Sequence, residues 1–234
     1  MQIITAYNQT IAVEPQGAAL LAYTRHGRDV LYQRRMHDGK LRGGSHVCVP
    51  NFGPGGTSDQ PQHGFGRTVT WRCAEQLEDR IRFVYRHTSG MYDGLQLSLL
   101  YGLKESGLVM QLTVHNSGTH RLRVAPGFHP YFVVPLGHDG RVWIDETMYE
   151  TSQLEEMKLH PGGTQIMLTI DEATRYRIST DVLQSYALWS AQPERYLCVE
   201  PTLAGNAFNE SDPAANQVIV PGETKTYTIA IEQA

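Results

Sequence analysis

Several features that mark the simpler function classes are missing from this chain. Its 234 residues contain only three cysteines, Cys48, Cys73 and Cys198, far apart and odd in number, so no disulfide framework is expected. There is no Lys/Arg block, and 20 basic against 24 acidic residues leave a net charge of −4, which excludes an extended nucleic-acid surface. No apolar run reaches the roughly 20 residues that a membrane-spanning helix needs. The opening residues, MQIITAYNQT, lack the basic start and apolar core of a secretory leader, so a reducing cytoplasm is the expected location. The sequons at Asn8 and Asn209 then carry no meaning. Helical periodicity is scarce too. Only TSQLEEMKL (151–159) is a candidate, and it suits a short turn of helix.

What the chain does have is period two. Alternating, β-branched runs recur as AALLAYT (18–24), RTVTWRC (67–73), RIRFVYRHT (80–88), LQLSLLYGL (95–103), LVMQLTVHN (108–116), YALWSA (186–191), YLCVE (196–200) and TYTIAIE (226–232). Gly- and Pro-rich turns separate them, and KESG (104–107) reads as a hairpin loop. The fold class is therefore all-β, an antiparallel sandwich or barrel. No linker and no internal repeat divides residues 1–234, so a single domain is the simplest organisation.

One stretch breaks the pattern. LRGGSHVCVPNFGPGGTSDQPQHGFGR (41–67) is rich in Gly, Pro and Asn, yet it carries Phe52, His63, Phe65 and Arg67. Long irregular loops of this kind are uncommon unless they serve a site. GPGGTS (53–58) lacks the lysine of a phosphate loop, and GGSHV (43–47) lacks the glycine order of a nucleophile elbow. The ten histidines show no HExxH-type spacing and no Cys pair is close, so no metal site is expected.

Three segments put an ionisable residue where a strand meets a Gly/Pro break: QHGFGR with His63 and Arg67, GFHPYF with His129, and CVEPTLAGNAFN with Glu200. Pro130 cannot donate a ladder hydrogen bond and pushes His129 toward extended geometry. Singly, each residue has an ordinary explanation: a turn cap, a satisfied core imidazole, an arginine partner. In this order on an all-β chain, however, HGFGR, HPYF and EP followed by NAFN resemble the aldose 1-epimerase (galactose mutarotase) superfamily. The RGG…VCVPNFGP…HGFGR…W stretch leans toward its glucose-6-phosphate 1-epimerase-like branch.

The resemblance implies a large antiparallel β-sandwich with a sugar cleft. It implies that His129 is the general acid toward the ring oxygen and Glu200 the general base on the anomeric hydroxyl. His63 would hold the substrate near the ring oxygen, and Arg67 and Arg42 would bind the sugar or a phosphate on it. Three features depart from the family pattern: a proline is common where Ser45 or His46 stands, the substrate-binding aspartate has no clear match beyond Asp145 in VWIDE, and the chain is shorter than typical members.

The implied chemistry opens and recloses a hexose ring by two proton transfers, so no cofactor is called for. The partner is a small sugar, not nucleic acid or membrane, and the sequence leaves the oligomeric state open. The same chemistry on a hexose 6-phosphate is the nearest alternative, favoured by the arginine forks. A non-catalytic sugar-binding module is the alternative of another class.

Overall fold

A computed structural model describes the chain except residues 164, 171–173, 184, 207 and 209–211 and the side chain of residue 57. Two positions of the NAFN motif, and the sequon at 209, lie outside the described residues. The fold is all-β, two large antiparallel sheets facing one another, as the period-two runs predict. Among the described residues no helix is long and apolar enough to cross a membrane.

One sheet pairs strands 147–150, 141–144, 165–169, 175–180, 224–233, 107–116, 95–104, 80–86 and 72–76 in that order. Its centre is the hairpin Leu95–Lys104 and Gly107–Asn116, closed by the KESG loop (104–107). Alternation does the folding work here. Leu97, Leu99, Tyr101, Leu108, Met110, Leu112, Ile229 and Ile231 point inward and are buried, while the residues between them face out. Burying a side chain of this size contributes about 1.5–3 kcal/mol. The TSQLEEMKL segment is a 3-10 turn at Thr151–Gln153 that gives way to a strand at Lys158–Pro161.

The other sheet holds the first four strands (2–6, 9–13, 20–25, 28–31) and the interrupted strand 127–128 and 131–133. Beside that strand runs Tyr196–Thr202, which pairs on its far side with Ser185–Trp189. All seven residues of Tyr196–Thr202 are buried. Leu197 and Val199 enter the core between the sheets, whereas Tyr196 and Cys198 join Tyr32 and Tyr131 in a second apolar cluster on the opposite face. Glu200 alternates onto that same face.

Candidate active site

The register of this sheet brings the distant motifs together. Gly127 lies opposite Thr202 and Tyr131 opposite Cys198, so the same register carries through the break and sets His129 opposite Glu200. Pro130 removes the local ladder bond without shifting that register. On the other side, the His129 N–H donates to the His46 carbonyl at 3.0 Å, and the Tyr131 N–H to the Gly44 carbonyl at 2.9 Å. His46, His129 and Glu200 thus stand side by side across three neighbouring chain segments.

His129 Nε2 lies 3.2 Å from Glu200 Oε2, and both side chains are almost fully buried. The His129 ring stacks on Tyr131, with centroids 4.7 Å apart and planes 10° apart, and on His46 at 4.7 Å and 29°. His63 meets His129 edge-on at 5.3 Å and Phe52 edge-on at 5.1 Å. The Gly53 N–H donates to His63 Nδ1 at 3.2 Å, which leaves Nε2 to carry the proton in the neutral ring.

Glycine makes this approach of segments feasible. Gly44 has φ +65°, and a Cβ there would fall 1.8 Å from the Leu20 carbonyl oxygen. Gly64 has φ +70°, and its Cβ would fall 2.1 Å from the Val49 carbonyl oxygen. Only a residue without a side chain lets the 41–67 segment lie this close to the sheet while turning His63 over the site.

Burial governs the electrostatics. It pushes the Glu200 carboxyl well above the usual carboxylate range. It pushes the His129 imidazole well below its usual value, helped by the charge of His63, Arg67 and Arg42. His46 is held well down by burial, then by His129, His63, Arg67 and Arg34. His63 is lowered to about 4 by burial and by Arg67. A carboxyl driven up and an imidazole driven down within hydrogen-bonding distance share one proton between them.

The arginines flank this group. Arg67 bears on all three histidines, and its Nε is buried with no hydrogen-bond partner among the described residues. Arg42 stacks over Trp189, with its guanidinium carbon 4.8 Å from the ring centroid. Of the residues singled out from the sequence, His129, Glu200, His63, Arg67 and Arg42 gather here. Asp145 does not join them. It sits in an exposed turn of the other sheet at φ +51°, beside Gly163 and Tyr186.

Two members of the group were not visible as such in the sequence. In the sequence His46 stands out only as a departure from the family pattern, and Cys198 only as one of three scattered cysteines. Cys198 comes two positions before Glu200, on the same face of the strand, and the Cys198 sulfur, a His129 ring nitrogen and a Glu200 oxygen all lie within 4.8 Å of one another. The signal that could have found it was the alternation in YLCVEPT, which puts Cys and Glu on one face.

Comparison with known proteins agrees with this architecture. Residues 2–232 match the family model for aldose 1-epimerase. The YphB protein of Escherichia coli K12 is 33% identical over 87 residues, 37% of this chain, and the match spans only 29% of that relative's length. The Slr1438 protein of Synechocystis superposes with a TM-score of 0.82 at 18% identity, covering 100% of this chain and 95% of its own. A galactose mutarotase-like protein from Lactobacillus casei superposes with a TM-score of 0.81 at 15% identity, with both chains covered in full. At such identities the structural likeness speaks for the fold alone, but the family model spans nearly the whole sequence. The chain belongs to the aldose 1-epimerase family.

Proposed function

We propose that the protein interconverts the α and β anomers of a hexose, with Glu200 as base and His129 as acid. The observation that carries this reading is the buried Glu200–His129 pair at 3.2 Å. In one distribution of its single proton, Glu200 is a carboxylate and His129 an imidazolium. Glu200 then takes the proton of the anomeric hydroxyl while His129 gives one to the ring oxygen, and the C1–O5 bond breaks.

The open-chain aldehyde now faces the other distribution, a neutral carboxyl and a neutral imidazole. Burial favours that form. Rotation about the C1–C2 bond presents the other face of the aldehyde, and the reverse transfers close the ring. The pair's proton count is unchanged at every stage, so no proton need cross to solvent. General acid–base catalysis of this kind contributes roughly 10²–10⁴-fold.

His63 and the arginines supply positioning. Gly53 occupies His63 Nδ1, so Nε2, which has the Gln62 side-chain amide 3.4 Å away, is the nitrogen left for a sugar oxygen. Arg67 and Arg42 hold positive charge against the group, which favours electron-rich sugar oxygens. The same two residues support a second reading, in which the hexose carries a 6-phosphate gripped by the guanidinium forks.

The decisive experiment follows the optical rotation of freshly dissolved α-glucose, α-galactose and α-glucose 6-phosphate, with binding measured separately by calorimetry. Acceleration with a free hexose supports the main reading, and acceleration confined to the phosphorylated sugar supports the second. Binding without acceleration of any anomer makes the protein a sugar-binding module and ends the catalytic reading.

A further inference from the structure

The proposed reaction uses His129 and Glu200 and leaves Cys198 without a role. Yet Cys198 is fully buried beside them, one alternation away on the same strand. The three side chains present nitrogen, sulfur and oxygen donors within 4.8 Å of one another. This grouping depends on sheet pairing, because His129 is on a different segment from the other two.

We propose that His129, Cys198 and Glu200 form a binding site for Zn²⁺, and that its occupancy shuts down the acid–base pair. Thiolate, imidazole and carboxylate together suit zinc, with three protein ligands and a fourth position left to water. Bonds to zinc run at about 2.0–2.3 Å, so a small swing of the Cys198 or Glu200 side chain closes the set.

A thiolate and a carboxylate balance the two charges of Zn²⁺, so the set His129, Cys198 and Glu200 with the metal is electrically neutral, which eases the usual obstacle to placing a dication in a low-dielectric setting. Mg²⁺ and Ca²⁺ carry the same charge but select oxygen donors, so a thiolate-containing set discriminates against them.

The site itself stands on geometry, while its inhibitory effect rests on the proposed mutarotation. The two are therefore read separately. Metal-free protein is titrated with Co²⁺, and the near-ultraviolet thiolate-to-cobalt charge-transfer band is recorded. Zn²⁺ is then added to displace it, with stoichiometry from calorimetry. One site per chain is expected, with the band lost in Cys198→Ser and kept in Cys73→Ser. Zinc affinity should fall about tenfold or more in Cys198→Ser and in Glu200→Gln, with circular dichroism confirming the fold of each.

Absence of the band in the parent, or its survival in Cys198→Ser, overturns the site. Where mutarotation is present, Zn²⁺ should abolish it, a chelator should restore it, and Mg²⁺ at equal concentration should leave it unchanged. Turnover that persists with the cobalt or zinc site filled overturns the inhibitory role. A protein that binds cobalt through Cys198 but never accelerates mutarotation keeps the site and loses the proposed function.

Discussion

His46 and His129 face each other across adjoining segments, backbone bonded to backbone, with their rings stacked 4.7 Å apart. Because Tyr131 also stacks on His129, the proposed acid is held by an aromatic ring on its own segment and by a second imidazole on the next. His46→Ala should remove one of these supports and leave a void against His129. We expect a loss of about 2 kcal/mol or more in urea unfolding, from lost stacking and an unfilled cavity. His46→Phe should restore most of that stability. If His46→Ala unfolds at the parent's midpoint, the stack is not supporting the sheet.

Glu200→Gln keeps the shape of the side chain and its capacity to bond a sugar hydroxyl, but cannot take a proton. Turnover should fall by roughly 10²–10⁴, about 3–5 kcal/mol of barrier, while sugar binding by calorimetry weakens far less. His129→Asn should give the same pattern. The double variant should be little worse than either single one, because the two residues act as a unit. A parent-like rate in Glu200→Gln removes Glu200 from the role of base.

The histidine group predicts an acid limit to stability. His63 is lowered to about 4 in the folded protein, against about 6.5 in an unfolded chain. Above pH 6.5 both states hold it neutral and it contributes no pH dependence. As pH falls from 6.5 toward 4, the unfolded chain takes up the proton first, so folding stability declines across that window by on the order of 2–3 kcal/mol for this group. His46, also depressed by burial, adds in the same direction. Urea midpoints measured between pH 7 and pH 4.5 test this, and His63→Gln should flatten the slope. A stability that rises on acidification through this window contradicts the buried neutral state.

Gly44→Ala probes the close approach that seats His46 beside His129. A Cβ at φ +65° and 1.8 Å from the Leu20 carbonyl must displace backbone on one side or the other. We expect a loss of at least about 2 kcal/mol in thermal or chemical unfolding. Gly137→Ala makes the control, since it also has positive φ but would meet nothing within 4 Å. Equal behaviour of the two variants would mean that backbone conformation alone, and not the contact with Leu20, sets the cost.

Much of this was legible in the sequence because strands announce themselves by alternation. LQLSLLYGL and LVMQLTVHN read as a hairpin, and they form one. His129 and Glu200 were findable because Pro130 and Pro201 mark them as special strand positions. What stayed hidden depends on cross-strand register. Nothing local connects His46 with His129, or His129 with Cys198, and a slip of one residue would turn each to the opposite face. RTVTWRC misled for a related reason: its alternation is genuine, but the strand there begins only at Arg72, and Trp71 donates its indole N–H to the Gly66 carbonyl of the preceding loop. Asp145 lay in a strand-like context that does lead to a strand, though one in the sheet that carries none of the other site residues.

The burial of all seven residues from Tyr196 to Thr202 sets a rule for anyone who would redesign this protein. The proposed base sits on a strand with no solvent-facing position to vary, so a change there is felt by two layers at once. On the proposed reading, selectivity among sugars would have to be engineered on the 41–67 segment, which brings Arg42, His63 and Arg67 to the site from partly exposed positions. On that reading, the acid–base pair and the groups that position the sugar lie on separate parts of the chain, and a library confined to the second can leave the first untouched.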